Sequence, residues 1–182
     1  MHDLFLIIGR TASGKSSIAN LVASEMKLSV LKSYTTRPMR PGEEHGSDHI
    51  FINEDEFQIY KNSIVAYTEI NGYKYFCTKN QLMKADIYVI DPDGYDFLSK
   101  QNIAGLRLHP IYISVDSQTR KERFIFRKGT KSAFAKRNES ESKQFDAFEK
   151  RDDIFRVENR NLRKSVRKVK LHILSKKNKS IS

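Results

Sequence analysis

The sequence is poor in the features that mark several protein classes. A single cysteine, Cys77, stands in 182 residues, which excludes a disulfide framework and suits a reducing compartment, so the expected location is the cytoplasm. The N-terminal apolar run, Leu4-Phe5-Leu6-Ile7-Ile8, is far too short to span a bilayer. Asp3 and the missing basic flank argue against a signal peptide, and no membrane partner is expected. His2, His45, His109 and His172 lack metal-ligand spacing and read as structural or surface residues. No internal repeat and no linker rich in proline, glycine or serine divides the chain, so a single domain over residues 1–182 is expected.

Acid is missing from one stretch altogether. Residues 160–182 hold nine lysines and arginines and no aspartate or glutamate. Of the formal net charge of +11, taking away these nine leaves about +2 on the rest. Leu162, Val166, Val169 and Ile173 recur there at helical spacing, which predicts a helix with one face on the domain and its charges in solvent. The stretch also lacks aromatic residues, so stacking on bases is unavailable and nucleic acid is not the expected partner.

What is present alternates. Residues 4–8, 87–90 and 111–115 are short apolar strands; Lys15–Met26 and Ser117–Phe126 read as helices, the first with Ile18, Leu21, Val22 and Met26 on its apolar stripe. Residues 33–48, with Pro38, Pro41, Gly42 and Gly46, predict an ordered loop without regular structure. Glu54–Tyr60 is a short helix, and Asn71-Gly72 joins two strands as a hairpin. Residues 127–138 show no core pattern, and a further helix is expected over 139–150. The fold class this predicts is α/β, three layers about a parallel central sheet.

One segment carries the strongest chemical signal. Gly9-Arg10-Thr11-Ala12-Ser13-Gly14-Lys15-Ser16 fits the pattern G-x-x-x-x-G-K-[ST], directly after a strand and opening a helix that continues with Ser17. Such a loop turns its backbone N–H groups onto phosphate oxygens, and the helix directs its positive end at the same charges. Lys15 is placed to reach the β- and γ-phosphates of ATP, and Ser16 to bind Mg²⁺. Further on, Arg37 and Arg40 stand three apart on the proline-braced loop. Guanidinium groups grip phosphate bidentately, which suits a second phosphate. Asp91 closes a buried strand, at the sheet edge where ligands bind in such folds; a turn aspartate before Pro92 is the plainer alternative. Arg123 and Arg127 are four apart on one helix face, in a basic segment that could close over phosphates.

Taken together, Gly9–Ser16, the run Ser33-Tyr34-Thr35-Thr36-Arg37-Pro38-Met39-Arg40-Pro41-Gly42-Glu43 and Gly46-Ser47-Asp48-His49-Ile50-Phe51 resemble guanylate kinase. Glu69-Ile70-Asn71-Gly72-Tyr73-Lys74-Tyr75 and Asp153–Asn159 are similar to later family segments, so the likeness runs from Leu4 to about Leu174. The resemblance implies a P-loop kinase with a core of residues 1–32 and 80–182, an inserted acceptor lobe at 33–79 and a lid at 124–139. It implies transfer of a phosphoryl group from ATP to a nucleoside monophosphate, most naturally GMP or dGMP. In it Arg37, Arg40, His49 and Tyr75 hold the acceptor phosphate. Ser33, Glu69, Cys77 and Asp91 face the nucleoside, and Arg123, Arg127 and Arg137 stabilise the transferring charge.

The sequence departs from the family at several positions. His49 stands for a tyrosine, Phe76 for a glycine, Cys77 for a serine and Val89 for an acid, and the family's guanine-reading acid falls at Ala66, with Glu69 three residues later. Another acceptor, such as a different deoxynucleotide or a sugar phosphate, and a non-catalytic module of the same shape are the alternative readings.

Overall fold

The computed structural model describes residues 1–47 and 49–178. Asp48 of the glycine–phenylalanine motif and Lys179 of the basic tail lie outside the described residues.

The chain runs β1 (His2–Ile8), α1 (Lys15–Met26), β2 (Tyr34–Thr35), β3 (Ile50–Phe51), α2 (Glu54–Tyr60), β4 (Ile64–Ile70), β5 (Tyr73–Thr78), α3 (Lys79–Leu82), β6 (Ile87–Val89), α4 (Pro92–Ser99), β7 (Leu106–Ser114), α5 (Ser117–Phe126), α6 (Lys131–Phe148), β8 (Phe155–Glu158) and α7 (Leu162–Asn178). Among the described residues two four-stranded sheets result. One is wholly parallel, in the order β6-β1-β7-β8. The other, β3-β2-β5-β4, pairs β2 with β3 in parallel and the rest antiparallel.

Strands of the parallel sheet are buried on both faces, which explains their unbroken apolar runs. Leu4, Leu6 and Ile8 of β1 pack with Tyr88, Tyr112, Phe145 and Phe148 on one side. Phe5 and Ile7 pack with Ile18, Val22, Val166, Val169 and Ile173 on the other. Because the sheet is parallel, the carboxyl ends of its strands share one edge. That edge gathers the loop after β1, Asp91 after β6 and Asn159 after β8.

Several expectations need correction. The loop at 33–48 contains a strand, since β2 is stitched between β3 and β5. β7 begins at Leu106 and runs through Pro110; β8 pairs with β7 only from Ile111 onward, so the proline's missing N–H costs no ladder bond on that side. On α1 the buried residues are Ile18, Ala19, Val22 and Ala23, whereas Leu21 is 39% exposed. On α7, Val166, Val169 and Ile173 are buried but Leu162 is 40% exposed.

The largest correction concerns 127–138. α6 is helical from Lys131, and Thr130 caps it by accepting a hydrogen bond from the Ala133 N–H at 3.1 Å. Its buried stripe is Phe134, Glu141, Phe145 and Phe148. The part from Phe148 back to residue 139 falls within the helix expected there; over 131–138 only Phe134 is buried, too little of a stripe for a hydrophobic reading to find.

Candidate active site

The loop between β1 and α1 is shaped by left-handed backbone at Ala12 (φ 63°) and Gly14 (φ 89°). Glycine is required at 14 twice over, since a Cβ there would also lie 2.5 Å from Asn159 Nδ2. Asn159 donates from Nδ2 to the Ser13 carbonyl at 2.8 Å, and Arg123 donates to the same carbonyl at 3.4 Å and to the Asn159 carbonyl at 2.9 Å. The residue just after β8 and one from α5 thereby fix the outer turn of the loop.

Its other side is fixed by α6. Glu141 accepts from the Thr11 N–H at 3.0 Å and from Thr11 Oγ1 at 2.5 Å. Arg137 Nε donates to Glu141 Oε1 at 2.9 Å and to Thr11 Oγ1 at 3.1 Å. Arg10 donates to Glu149 at 2.9 Å and to Asp146 at 2.5 Å, and Tyr112 donates to Glu149 as well. Burial opposes the charge on Arg10, but these carboxylates outweigh it and push its pKa up.

Lys15 stands at the first position of α1. Desolvation lowers its pKa; Glu141 and Asp91 pull it back up, while Arg137 and Arg127 depress it further. An ammonium short of compensating acid fits a site built to receive an anion. Ser16 is exposed beside it and Ser17 half-buried. Beyond Gly14 and Ser17 lies a cavity of about 560 Å³, lined also by Phe126, Arg127, Asn159 and Leu162. Phe126 is 90% exposed, an unusual position for an aromatic ring.

Facing this edge, the second sheet presents a cluster. Arg37, only 6% exposed, donates from Nε to Tyr75 Oη at 2.9 Å and grips Glu43 through two bonds of 2.9 Å. Burial disfavours the Glu43 carboxylate, but Arg37 and the Arg40 N–H hold its pKa below the ordinary value. Ser33 Oγ lies 2.9 Å from His49 Nδ1, and the His49 ring meets Tyr75 edge-on at 5.5 Å. Arg37, Tyr75, Ser33 and His49 therefore come together. Arg40 is near in sequence, but its side chain is exposed.

Strand register separates the remaining residues. Thr68 pairs with Tyr75 and so shares the cluster's face. Its hydroxyl sits against Asp91, and both Thr68 Oγ1 and Asp91 Oδ2 are buried without a hydrogen bond of normal geometry. Asp91 accepts from the Gly94 N–H at 2.8 Å and caps α4; burial raises its pKa. It is thus both a turn residue and a member of the site. Glu69 pairs with Lys74 on the opposite face and is exposed, so the structure does not bring it to the cluster. Cys77 is fully buried opposite Ala66 among core residues, with Tyr88 nearby, and burial pushes its thiol up to about 12.

Thr68, Asn159, Glu141 and Phe126 were not singled out as site residues by the sequence reading. Asn159 had a usable signal, as the residue closing a strand at the carboxyl edge; the other three depend on packing and register.

Comparison with known proteins bears on the family and the fold. The family model for guanylate kinase matches residues 1–176. A guanylate kinase of Chlamydia muridarum is 30% identical over 172 residues, covering 85% of this chain and 82% of its own. One from Blochmanniella floridana is 31% identical over 130 residues, or 66% of this chain, and the match spans 61% of its own length. The crystal structure of guanylate kinase from Anaplasma phagocytophilum superimposes with a TM-score of 0.71 over 96% of this chain and 86% of that one, at 17% identity. A G-x-x-x-x-G-K-S loop after the first strand of the parallel sheet, an arginine–tyrosine cluster on the second sheet and a family model that spans nearly the whole chain lead to one assignment: the chain belongs to the guanylate kinase family.

Proposed function

We infer that this protein transfers the γ-phosphoryl group of ATP to the phosphate of GMP or dGMP. The observation that carries the reading is the pairing of two separate phosphate-binding arrangements. The half-buried Lys15 with its loop stands at the sheet edge, and Arg37 with Tyr75, Ser33 and His49 forms a second cluster.

Phosphoryl transfer is largely positioning and neutralisation of charge. The loop amides and Lys15 hold the donor's phosphates, and the cavity beside Gly14 receives its base, with Phe126 as an aromatic wall. Arg37, Tyr75, His49, Ser33 and Arg40 bind the acceptor phosphate, which needs no base because it is already ionised. Asp91 and Thr68 lie toward the nucleoside. Arg123, Arg127 and Arg137 neutralise the transferring group.

Ser16 opens onto this site and suits Mg²⁺, which takes few protein ligands and completes its shell with phosphates and water. In this reading Ser16 and the nucleotide supply its ligands. The one thiol, buried at Cys77, fits a reducing compartment such as the cytoplasm.

The test is a coupled ADP-release assay with ATP and Mg²⁺ against GMP, dGMP, AMP, CMP, UMP, dTMP and ribose phosphates. Turnover with GMP that vanishes in Lys15→Ala supports the reading. Turnover with another acceptor alone moves the specificity, and silence across the panel overturns it.

A further inference from the structure

We propose that Glu141 is a positioning residue that fixes Arg137 against the phosphate-binding loop, so that α6 is docked on the loop as one unit. The proposal rests on the reading of Arg137 as a group that neutralises the transferring phosphoryl.

Glu141 occupies the core stripe of α6 and is 5% exposed. A carboxylate in such a place is costly unless its oxygens are satisfied. Here Oε2 accepts from the Thr11 backbone, and Oε1 accepts from the Thr11 hydroxyl and from Arg137 Nε. An aliphatic residue would fill the stripe without that cost, so packing alone does not account for the glutamate.

Arg137 lies one helical turn earlier on the same face. Its side-chain hydrogen bonds among the described residues are made through Nε alone, to Glu141 and Thr11. With Nε held, the two terminal nitrogens extend from a fixed point and keep the fork that phosphate oxygens accept. An unanchored arginine would have to lose its rotamer freedom during each turnover.

A second anchor lies further along the same helix and just beyond its end. Asp146 and Glu149 hold Arg10, whose guanidinium also lies 5.3 Å from the Phe145 ring centre. Thr11 and Arg10 are adjacent in the loop, while Glu141 and Glu149 are eight residues apart, about 12 Å at the helical rise. These contacts tie α6 to the loop after β1 at two places.

The experiment follows the Arg137 Nε–Hε resonance by ¹H–¹⁵N NMR in the full chain, assigned through its loss in Arg137→Lys. Glu141→Gln keeps the volume and is expected to shift and broaden that resonance. Glu141→Asp, which keeps the charge but is one methylene too short, is expected to do the same, and it serves if the glutamine variant does not fold. An unchanged resonance in whichever variant folds overturns the proposal, whether or not the protein proves to phosphorylate GMP.

Kinetics give the second readout. Glu141→Gln is expected to lower kcat about tenfold with both KM values within about twofold, and Arg137→Ala to lower it about a hundredfold. The double variant is expected to be no slower than Arg137→Ala, because one residue acts through the other. Multiplicative losses overturn the proposal. Absence of Lys15-dependent turnover in the unmodified protein defeats the kinase reading instead and leaves the resonance to decide the contact.

Discussion

Lys15 is held in a desolvated position that depresses its pKa, and the sign of that shift sets two expectations. The unfolded chain binds the Lys15 proton more tightly than the folded one. Its charge therefore opposes folding at neutral pH, and the opposition fades as pH rises through the lowered pKa toward the ordinary value of 10.5. Lys15→Met is expected to raise the melting temperature of the nucleotide-free protein at pH 7 while lowering kcat by about 10²–10³. Calorimetry and the ADP-release assay on the same preparation check both; a lower melting temperature would contradict the desolvation argument. Arg37 gives the complementary case, since its fork engages Glu43 and Tyr75 together. A lysine there keeps the charge and loses the fork, so Arg37→Lys is expected to raise KM for GMP about tenfold and leave KM for ATP within about twofold.

Elements were legible where their signal was local. α2 and α5 have the bounds read from the sequence, and Asn71-Gly72 turns the β4–β5 hairpin as expected, with φ of 53° and 77°. The second half of α6 falls within the helix expected over 139–150, but its start at Lys131 was not legible, because over 131–138 only Phe134 is buried and Lys131 and Lys136 are exposed. Its carboxylates also bear on acid stability. Burial works against the Glu149 charge, but hydrogen bonds from Arg10 and Tyr112 outweigh it and hold the pKa below the ordinary 4.5. A depressed carboxylate contributes stability above its unfolded pKa and loses it as pH falls through the folded value. Glu149→Gln is therefore expected to lower the melting temperature at pH 6 and to flatten its decline below pH 4.5. A melting series from pH 3 to 6 measures this, and parallel declines in the two proteins would count against the Arg10–Glu149 anchor.

At the scale of the molecule, the residues proposed to bind phosphate were legible in the sequence, and the register that separates the two faces of the hairpin was not. Lys15, Arg37 and Asp91 announce themselves through spacing and through their place after a strand. That Thr68 rather than Glu69 turns toward Asp91 follows only from the pairing of Thr68 with Tyr75 and of Glu69 with Lys74. The basic tail needs the same kind of reasoning. α7 starts just after Asn159, at the carboxyl edge, and its 17 residues carry it about 25 Å back along the sheet. Its far end is marked by Lys177, 3.3 Å from Asp86 at the start of β6, on the amino side. Over that distance solvent screens surface charge at physiological salt, where the Debye length is about 8 Å. Reversing Lys176 and Lys177 to glutamate is thus expected to leave KM for ATP and GMP within about twofold at 150 mM salt. It is expected to cost less than about 1 kcal/mol of stability, since the pair with Asp86 is part-exposed. Ile173, buried on the same helix, should behave oppositely: Ile173→Ala is expected to cost about 2–5 kcal/mol. Chemical denaturation separates the two. A charge-reversed protein with strongly raised KM values at this salt would mean that the far end of α7 reaches the nucleotides after all.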